Sequence, residues 1–295
     1  MAALRLATRG SALARAQAES VAAALGEAEL VTVRSGDGEP GDKARFVRAV
    51  EAALLAADAD LGVHSAKDLP GGRSEGLELA GVPTREDPAD AYVGSAGSIA
   101  EIPDGARVGT SSLRRRAQLL ALRPDLEVVE LHGNVDTRLR KLADGECDGI
   151  VLALAGMRRL GRADEAAFAF GLVEMTPSPG QGTLALQARS GDRAAAAAAA
   201  AITDHSALVE LTAERAAVTA LEATCNTPIG LCARLDGDEL ELHGFAGLPD
   251  GSEWVRDLLT GDPDQPAALG EALADRMLAA GAGELLERAE REAVR

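Results

Sequence analysis

Aromatic side chains are scarce in this chain: 2% of 295 residues, with one Trp, one Tyr and four Phe. The core must therefore come mostly from Ala, Leu and Val, and the stacking platforms that single-stranded nucleic acid requires are missing. Positive charge is also in deficit. The formal net charge is −17 at pH 7, which opposes duplex binding through phosphate contacts. Lysine occurs only at Lys43, Lys67 and Lys141, so the basic residues are nearly all Arg. No apolar run is long enough to span a bilayer. The segment from Met1 reads as a strand and not as a signal peptide, so a cytoplasmic protein is expected, without nucleic-acid or membrane partners. Cys147, Cys225 and Cys232 leave one thiol over if any pair forms, so reduced thiols are expected. They share no zinc-site spacing with the four histidines, so no metal is expected.

What is present is a globular composition, 46% hydrophobic, long enough for two or three domains. The first third alternates strand and helix. Leu4–Ala7 reads as a strand, Ala12–Leu25 as a helix capped by Ser11, and Leu30–Arg34 as a strand. Ser35–Asp42 is an acidic, Gly-rich loop, Arg45–Leu55 an amphipathic helix, and Leu61–His64 a buried strand. The middle repeats the rhythm. Strands are expected at Arg107–Thr110, Leu126–Leu131 and Gly149–Leu154, and helices at Leu113–Leu122, Val135–Leu142 and Gly156–Leu160. Such alternation predicts two parallel, doubly wound lobes with a cleft between them, beyond the carboxyl ends of the strands. Pro177-Ser178-Pro179-Gly180-Gln181-Gly182 reads as a turn-rich crossing. Beyond it, helices at Ala194–Ala201 and His205–Leu221 precede three antiparallel strands and two closing helices, a small α+β domain. The fold class is thus α/β, two lobes plus that domain.

The most informative segment is Val108-Gly109-Thr110-Ser111-Ser112-Leu113-Arg114-Arg115-Arg116. A short strand ends at a glycine, three hydroxyl residues follow, and a triple arginine opens a helix. Freed N–H groups, hydroxyls and guanidinium forks together suit organic anions. The bland alternative is a solvated basic face paired with nearby acids. Three more strand ends carry similar groups: Arg9-Gly10-Ser11, His64-Ser65-Ala66-Lys67-Asp68, and His132-Gly133-Asn134 with Arg138. Arg158-Arg159 follow a further strand. A Lys67–Asp68 salt bridge and simple N-capping by Ser11 are the structural alternatives. Taken together, the ends suggest a ligand with several carboxylates. Cys225 stands in a polar loop before Pro228-Ile229-Gly230. It reads either as a reachable thiol or as a structural one.

The set resembles the porphobilinogen deaminase (hydroxymethylbilane synthase) family. The matching stretches include Ala7–Ser11, Val63–Pro70, Arg85-Glu86-Asp87-Pro88, Val108–Arg115, Gly133-Asn134, Thr137-Arg138-Leu139, Gly180-Gln181-Gly182, Thr212–Arg215 and Cys225 with Pro228-Ile229-Gly230. They run in order over almost the whole chain.

The resemblance implies lobes like those of type II periplasmic binding proteins. Domain 1 would span 1–84 with 183–200, domain 2 would span 88–176, and domain 3, which carries the cofactor, would span 204–295. It implies a monomeric transferase that joins four porphobilinogen molecules head to tail, releases ammonia, and frees the linear tetrapyrrole by hydrolysis. The primer would be a dipyrromethane held by a thioether to Cys225. Asp68 would be the catalytic carboxylate beside the pyrrole N–H. Arg9, Ser11, Ser112, Arg114, Arg115, Arg138 and Arg159 would bind carboxylates of substrate and cofactor. Lys67, Thr110, Ser111 and Asn134 would help hold the cofactor.

The chain departs from the family pattern at four places. His132 stands where Arg is usual. Thr224 replaces the Gly before the cofactor cysteine, a poor fit if the backbone there needs positive φ. Asp136 adds a negative charge near an anion site, and the loop Ser35–Arg45 is short. A divergent paralogue that only binds a pyrrole carboxylate or another small organic anion is the competing function. An effector-binding module of a regulator would need a DNA-reading helix pair, which is absent.

Overall fold

The computed structural model describes residues 3–34, 44–72, 74–224 and 227–293. The first lobe begins with β1 (Leu4–Arg9), α1 (Ala12–Leu25), β2 (Ala28–Val33), α2 (Ala44–Leu55), β3 (Leu61–Ser65) and β4 (Leu77–Gly81). The second holds β5 (Asp90–Gly94), β6 (Arg107–Gly109), α3 (Leu113–Leu122), β7 (Glu127–Val129), α4 (Val135–Ala143), β8 (Gly149–Ala153), α5 (Leu154–Arg159) and β9 (Phe168–Ala169). Then follow β10 (Leu184–Arg189), α6 (Arg193–Ala201), α7 (His205–Ala220), β11 (Ile229–Asp236), β12 (Glu239–Gly247), β13 (Trp254–Gly261), α8 (Pro266–Ala279) and α9 (Ala282–Ala293). The expected acidic loop at 35–42 lies outside the described residues.

Strand order is β2-β1-β3-β10-β4 in the first sheet and β7-β6-β8-β5-β9 in the second. Both sheets are buried on two faces, which the period-2 pattern makes visible. On the second sheet, Tyr92, Val108 and Val151 pack with Leu119 on one face, while Ala91, Val93, Ile150 and Leu152 pack with Leu139 and Met157 on the other. The first sheet divides likewise, with Leu6, Leu61 and Leu186 against Ala18 and Val21, and Ala7 against Val50 and Leu54.

The sheets are mixed, not purely parallel as the alternation suggests. β10 runs antiparallel to β3 and β4, with Leu186 opposite Val63, and β5 runs antiparallel to β8 and β9. The reason is connectivity. The chain leaves the first sheet, builds the second, and re-enters the first from the opposite end through β10. That re-entry makes two crossing segments between the lobes, at residues 82–89 and 176–183. Two glycines let them touch. Gly182 has φ +84 and a Cβ there would sit 2.1 Å from Glu86 O; Gly180 has φ +72 and a Cβ would meet Lys67 N at 2.8 Å.

The third unit is an antiparallel sheet, β11-β12-β13, covered by α7 and α8. Its core gathers Leu231, Leu240 and Leu242 with Ala213, Ala217, Leu273 and Met277. No described helix is long and apolar enough to cross a membrane.

Candidate active site

Helix starts and strand ends of both lobes meet at one cavity of about 440 Å³. β1 delivers Arg9, Gly10 and Ser11. β3 delivers Ser65 and leads into a single 3-10 turn, Ala66–Asp68, that presents Lys67. From the second lobe come Arg115 on α3, Asn134 and Arg138 at the start of α4, and Arg159 at the end of α5.

Three of the residues expected from the sequence to bind carboxylates or cofactor are helix caps, of which Ser11 and Asn134 line the cavity. Ser11 Oγ accepts from Ala14 N at 3.3 Å, Ser112 Oγ from Arg115 N at 3.4 Å, and Asn134 Oδ1 from Thr137 N at 2.9 Å. Capping uses an acceptor lone pair and leaves the donor side of each group available. The cap and the ligand contact are thus compatible, and the positive ends of α1 and α4 face the cavity.

The charge balance inside the cavity is lopsided. Among the described residues, no carboxylate lies within 4.0 Å of Lys67, Arg138 or Arg159. Lys67 Nζ donates to Gln181 Oε1 at 3.2 Å. Arg138 Nη2 donates to Ser111 Oγ at 2.9 Å, and its buried Nε has no partner. Arg159 Nη2 donates to Gly182 O at 2.7 Å. Burial, then the like charge of Arg115, pushes Lys67 down to about 8. The same two causes push Arg138 down to about 10. Burial also lowers Arg159. An incoming anion would relieve all three.

Arg114 and Arg115 face a different partner. Asp90, fully buried on β5, forms ion pairs through Oδ2 with Arg114 Nη1 and through Oδ1 with Arg115 Nη2, each at 2.7 Å. Burial opposes its ionisation, yet Arg114 and Arg115 hold its carboxyl well below the usual range. Arg114 also donates to Thr176 O at 2.7 Å and does not line the cavity, whereas Arg115 does. Arg9 Nη2 stands 3.8 Å from Asp68 Oδ2, both half-buried. Thr110 is buried, and its Oγ1 accepts from Ser112 N at 3.2 Å.

Two departures from the family pattern resolve locally. Asp136 pairs with Arg162 at 2.9 Å, so its charge is offset. Thr224 is not among the described residues with positive φ; the residue that takes it is Glu222, at 51°. His132 is 71% exposed, pairs with Glu130 at 2.9 Å and stands away from the cavity lining.

Sequence reasoning missed Asp90 and gave no role to Gln181 or Arg85. The available signal for Asp90 was a lone acid opening an apolar strand. Gln181, 1% exposed, joins the lobes: its Nε2 donates to Asp90 Oδ1 at 2.9 Å and to Pro88 O at 2.7 Å. Arg85 ties this crossing to the third unit. It donates to Gln181 O at 3.0 Å and pairs with Glu210 at 2.9 Å and Glu214 at 2.8 Å on α7.

Cys225 lies outside the described residues, but its flanks are placed. Thr227 Oγ1 accepts from Thr224 N at 2.6 Å and donates to Thr224 O at 2.8 Å, stapling the ends of the loop. The last turns of α7, before it, pack on Pro70 and Gly71, which follow the turn that carries Asp68. Arg215 Nη2 donates to Pro70 O at 3.1 Å and Gly71 O at 3.0 Å, and Gly71 abuts Val218.

Fold and site together define a two-lobed α/β protein whose interlobe cleft holds Lys67, Arg138 and Arg159 with no carboxylate within 4.0 Å among the described residues. Residues 4–197 match the family described as "Porphobilinogen deaminase, dipyromethane cofactor binding domain", and residues 208–279 match "Porphobilinogen deaminase, C-terminal domain". Relatives named porphobilinogen deaminase include that of Campylobacter concisus, 42% identical, covering 97% of this chain and 98% of the relative. That of Roseiflexus castenholzii is 44% identical, covering 96% and 98%. That of Nocardia farcinica is 43% identical, covering 96% and 88%. Among solved structures, the BvgS periplasmic VFT2 domain of Bordetella pertussis is similar with a TM-score of 0.39 at 16% identity, covering 66% of this chain and 85% of that one. A TRAP periplasmic solute binding protein of Roseobacter denitrificans, with bound β-D-glucuronate, reaches 0.38 at 13% identity, covering 68% and 78%.

The chain belongs to the porphobilinogen deaminase family. Its activity is that of a transferase, hydroxymethylbilane synthase, which uses porphobilinogen and a dipyrromethane cofactor. The family match favours the enzyme over a non-enzymatic anion binder.

Proposed function

We propose that the interlobe cavity grips the acid arms of cofactor and substrate, with Cys225 as the thioether attachment point and Asp68 as the catalytic carboxylate. The observation that carries this is the trio Lys67, Arg138 and Arg159, which share the cavity without a carboxylate partner among the described residues. A dipyrromethane, with an acetate and a propionate on each ring, supplies the missing acceptors. The orphaned Nε of Arg138 is a specific place for one. When bound, the cofactor supplies the nucleophilic pyrrole carbon to which substrate is added.

The residues divide the work. Lys67, Arg138, Arg159, Arg115 and Arg9 bind carboxylates, the Arg side chains through two-point forks. Ser11, Ser112 and Asn134 donate hydrogen bonds while they cap helices, and Thr110 and Ser111 hold the α3 entry and Arg138. Arg114 acts through Asp90, which keeps it and Arg115 in place. Asp68 accepts a hydrogen bond from a pyrrole N–H, offsets the positive charge that develops on that nitrogen, and takes and returns a proton at its Oδ atoms. Arg9, in ion-pair range of Asp68, orients it. His132 contributes little, since it faces solvent beside Glu130.

The three functional units are 1–84 with 183–200, 88–176 and 204–295. The protein acts as a monomer in the cytoplasm and binds no nucleic acid; buried free thiols at Cys147 and Cys232 and the acidic net charge support this reading.

Intact-protein mass spectrometry tests the attachment. Protein purified from a host that makes porphobilinogen is expected to carry the mass of a dipyrromethane, and Cys225→Ser to lack it. An unmodified wild-type protein overturns the proposal.

A further inference from the structure

Every polar atom of the Gln181 side chain is committed, and the commitments join the two halves of the site. Its Oε1 accepts from Lys67 Nζ, which belongs to the first lobe. Its Nε2 donates to Oδ1 of Asp90, which belongs to the second lobe and pairs with both Arg114 and Arg115. Its main chain is held as well: Gln181 N donates to Ser178 O at 2.9 Å, and Gln181 O takes Arg85 Nε at 3.0 Å. The glycines on either side press against Lys67 and Glu86 backbone with no room for a Cβ.

This arrangement has a direction that a carboxylate could not reproduce. An amide offers an acceptor to the cation and a donor to the anion at once. Glutamate at 181 would satisfy Lys67 but place two carboxylates in contact at Asp90. A hydrocarbon would leave both partners short of a hydrogen bond in a buried site, where such losses are costly.

We infer that Gln181 is a positioning residue for the reaction: through its side-chain amide it sets Lys67 in the cavity and couples that ammonium to the Asp90–Arg114–Arg115 cluster across the lobes. The inference rests on the proposed role of Lys67 in gripping carboxylates. Gln181 does not line the cavity, so it acts through Lys67 and Arg115, which do.

The test is a double-mutant cycle on the cofactor-loaded enzyme, with Gln181→Met, Lys67→Met and the pair, reading KM for porphobilinogen, kcat and the thermal midpoint. Gln181→Met is expected to raise KM about tenfold, the scale of one lost hydrogen bond to a charged group. Because the glutamine acts through the lysine, Gln181→Met in the Lys67→Met background is expected to change KM far less than it does alone. Gln181→Glu is expected to keep KM nearer the wild-type value but to lower the thermal midpoint, since the acceptor for Lys67 survives and the donor for Asp90 does not. If Gln181→Met lowers only the midpoint and leaves KM unchanged, or if the two KM effects multiply independently, the inference fails. If Lys67→Met itself leaves KM unchanged, the underlying assignment of Lys67 fails instead. Should Gln181→Met not fold, Gln181→Asn, whose amide is one methylene too short to reach both Lys67 and Asp90, replaces it in the cycle with Lys67→Met, and independent KM effects there again overturn the inference.

Discussion

Asp90 Oδ1 accepts from both Nε and Nη2 of Arg115, at 3.0 and 2.7 Å, in a site closed to solvent. Its other oxygen holds Arg114. One carboxylate therefore keeps two buried guanidiniums in place beneath the cavity, and a group that touches no cavity space decides where Arg115 points.

Replacing Asp90 with Asn should cost stability before it costs chemistry. Breaking a buried pair leaves an uncompensated charge, here beside a second guanidinium that shared the same carboxylate, at a cost of about 3–5 kcal/mol. A large drop in the urea midpoint is expected. Because Arg114 and Arg115 hold the Asp90 carboxyl low against burial, its stabilisation is in place at neutral pH and fades as pH falls below about 4, where unfolded Asp protonates. The acid limb of the wild-type stability curve should be blunted in the variant.

Asp68→Asn keeps size and hydrogen-bonding shape while removing charge and basicity. Steady-state rates of tetrapyrrole formation should fall by roughly 100-fold or more, the scale of a lost charge-stabilising group at the transition state, with KM changed only a few-fold. Near-normal turnover would remove Asp68 from its assigned role.

Lys67 provides a pH signature with opposite signs in binding and stability. With its ionisation pushed down to about 8, it is mostly an ammonium at pH 7 and loses charge as pH rises through 8. Apparent affinity for porphobilinogen should weaken between pH 7 and 9. Over the interval from 8 to 10.5 the unfolded lysine still holds its proton and the folded one does not, so this residue's contribution to stability grows with pH. The groups that face it are Arg115, Asp68, Asp90 and Arg114. Lys67→Met should flatten the KM profile; an unchanged slope assigns the titration elsewhere.

Local chemistry was legible in the chain. Ser11, Ser112 and Asn134 announce helix starts because capping depends on a residue and the N–H three positions on. The apolar cores of β3 and β8 and the helices Ala12–Leu25 and Leu113–Leu122 follow from periodicity alone, and the motif set pointed to the right family. Nothing local, by contrast, marks β10 as the strand that slips between β3 and β4, because its partners lie more than a hundred residues away. The same holds for Asp90 and Gln181. Their partners, Arg114, Arg115, Pro88 and Lys67, come from separate lobes and crossing segments, and a polar residue's meaning in a dry interior depends on what faces it. Composition and spacing decided which groups the cavity could use; the return of the chain between the lobes decided which cations face a carboxylate, as Arg114 and Arg115 face Asp90, and which, like Lys67, Arg138 and Arg159, have none within 4.0 Å among the described residues.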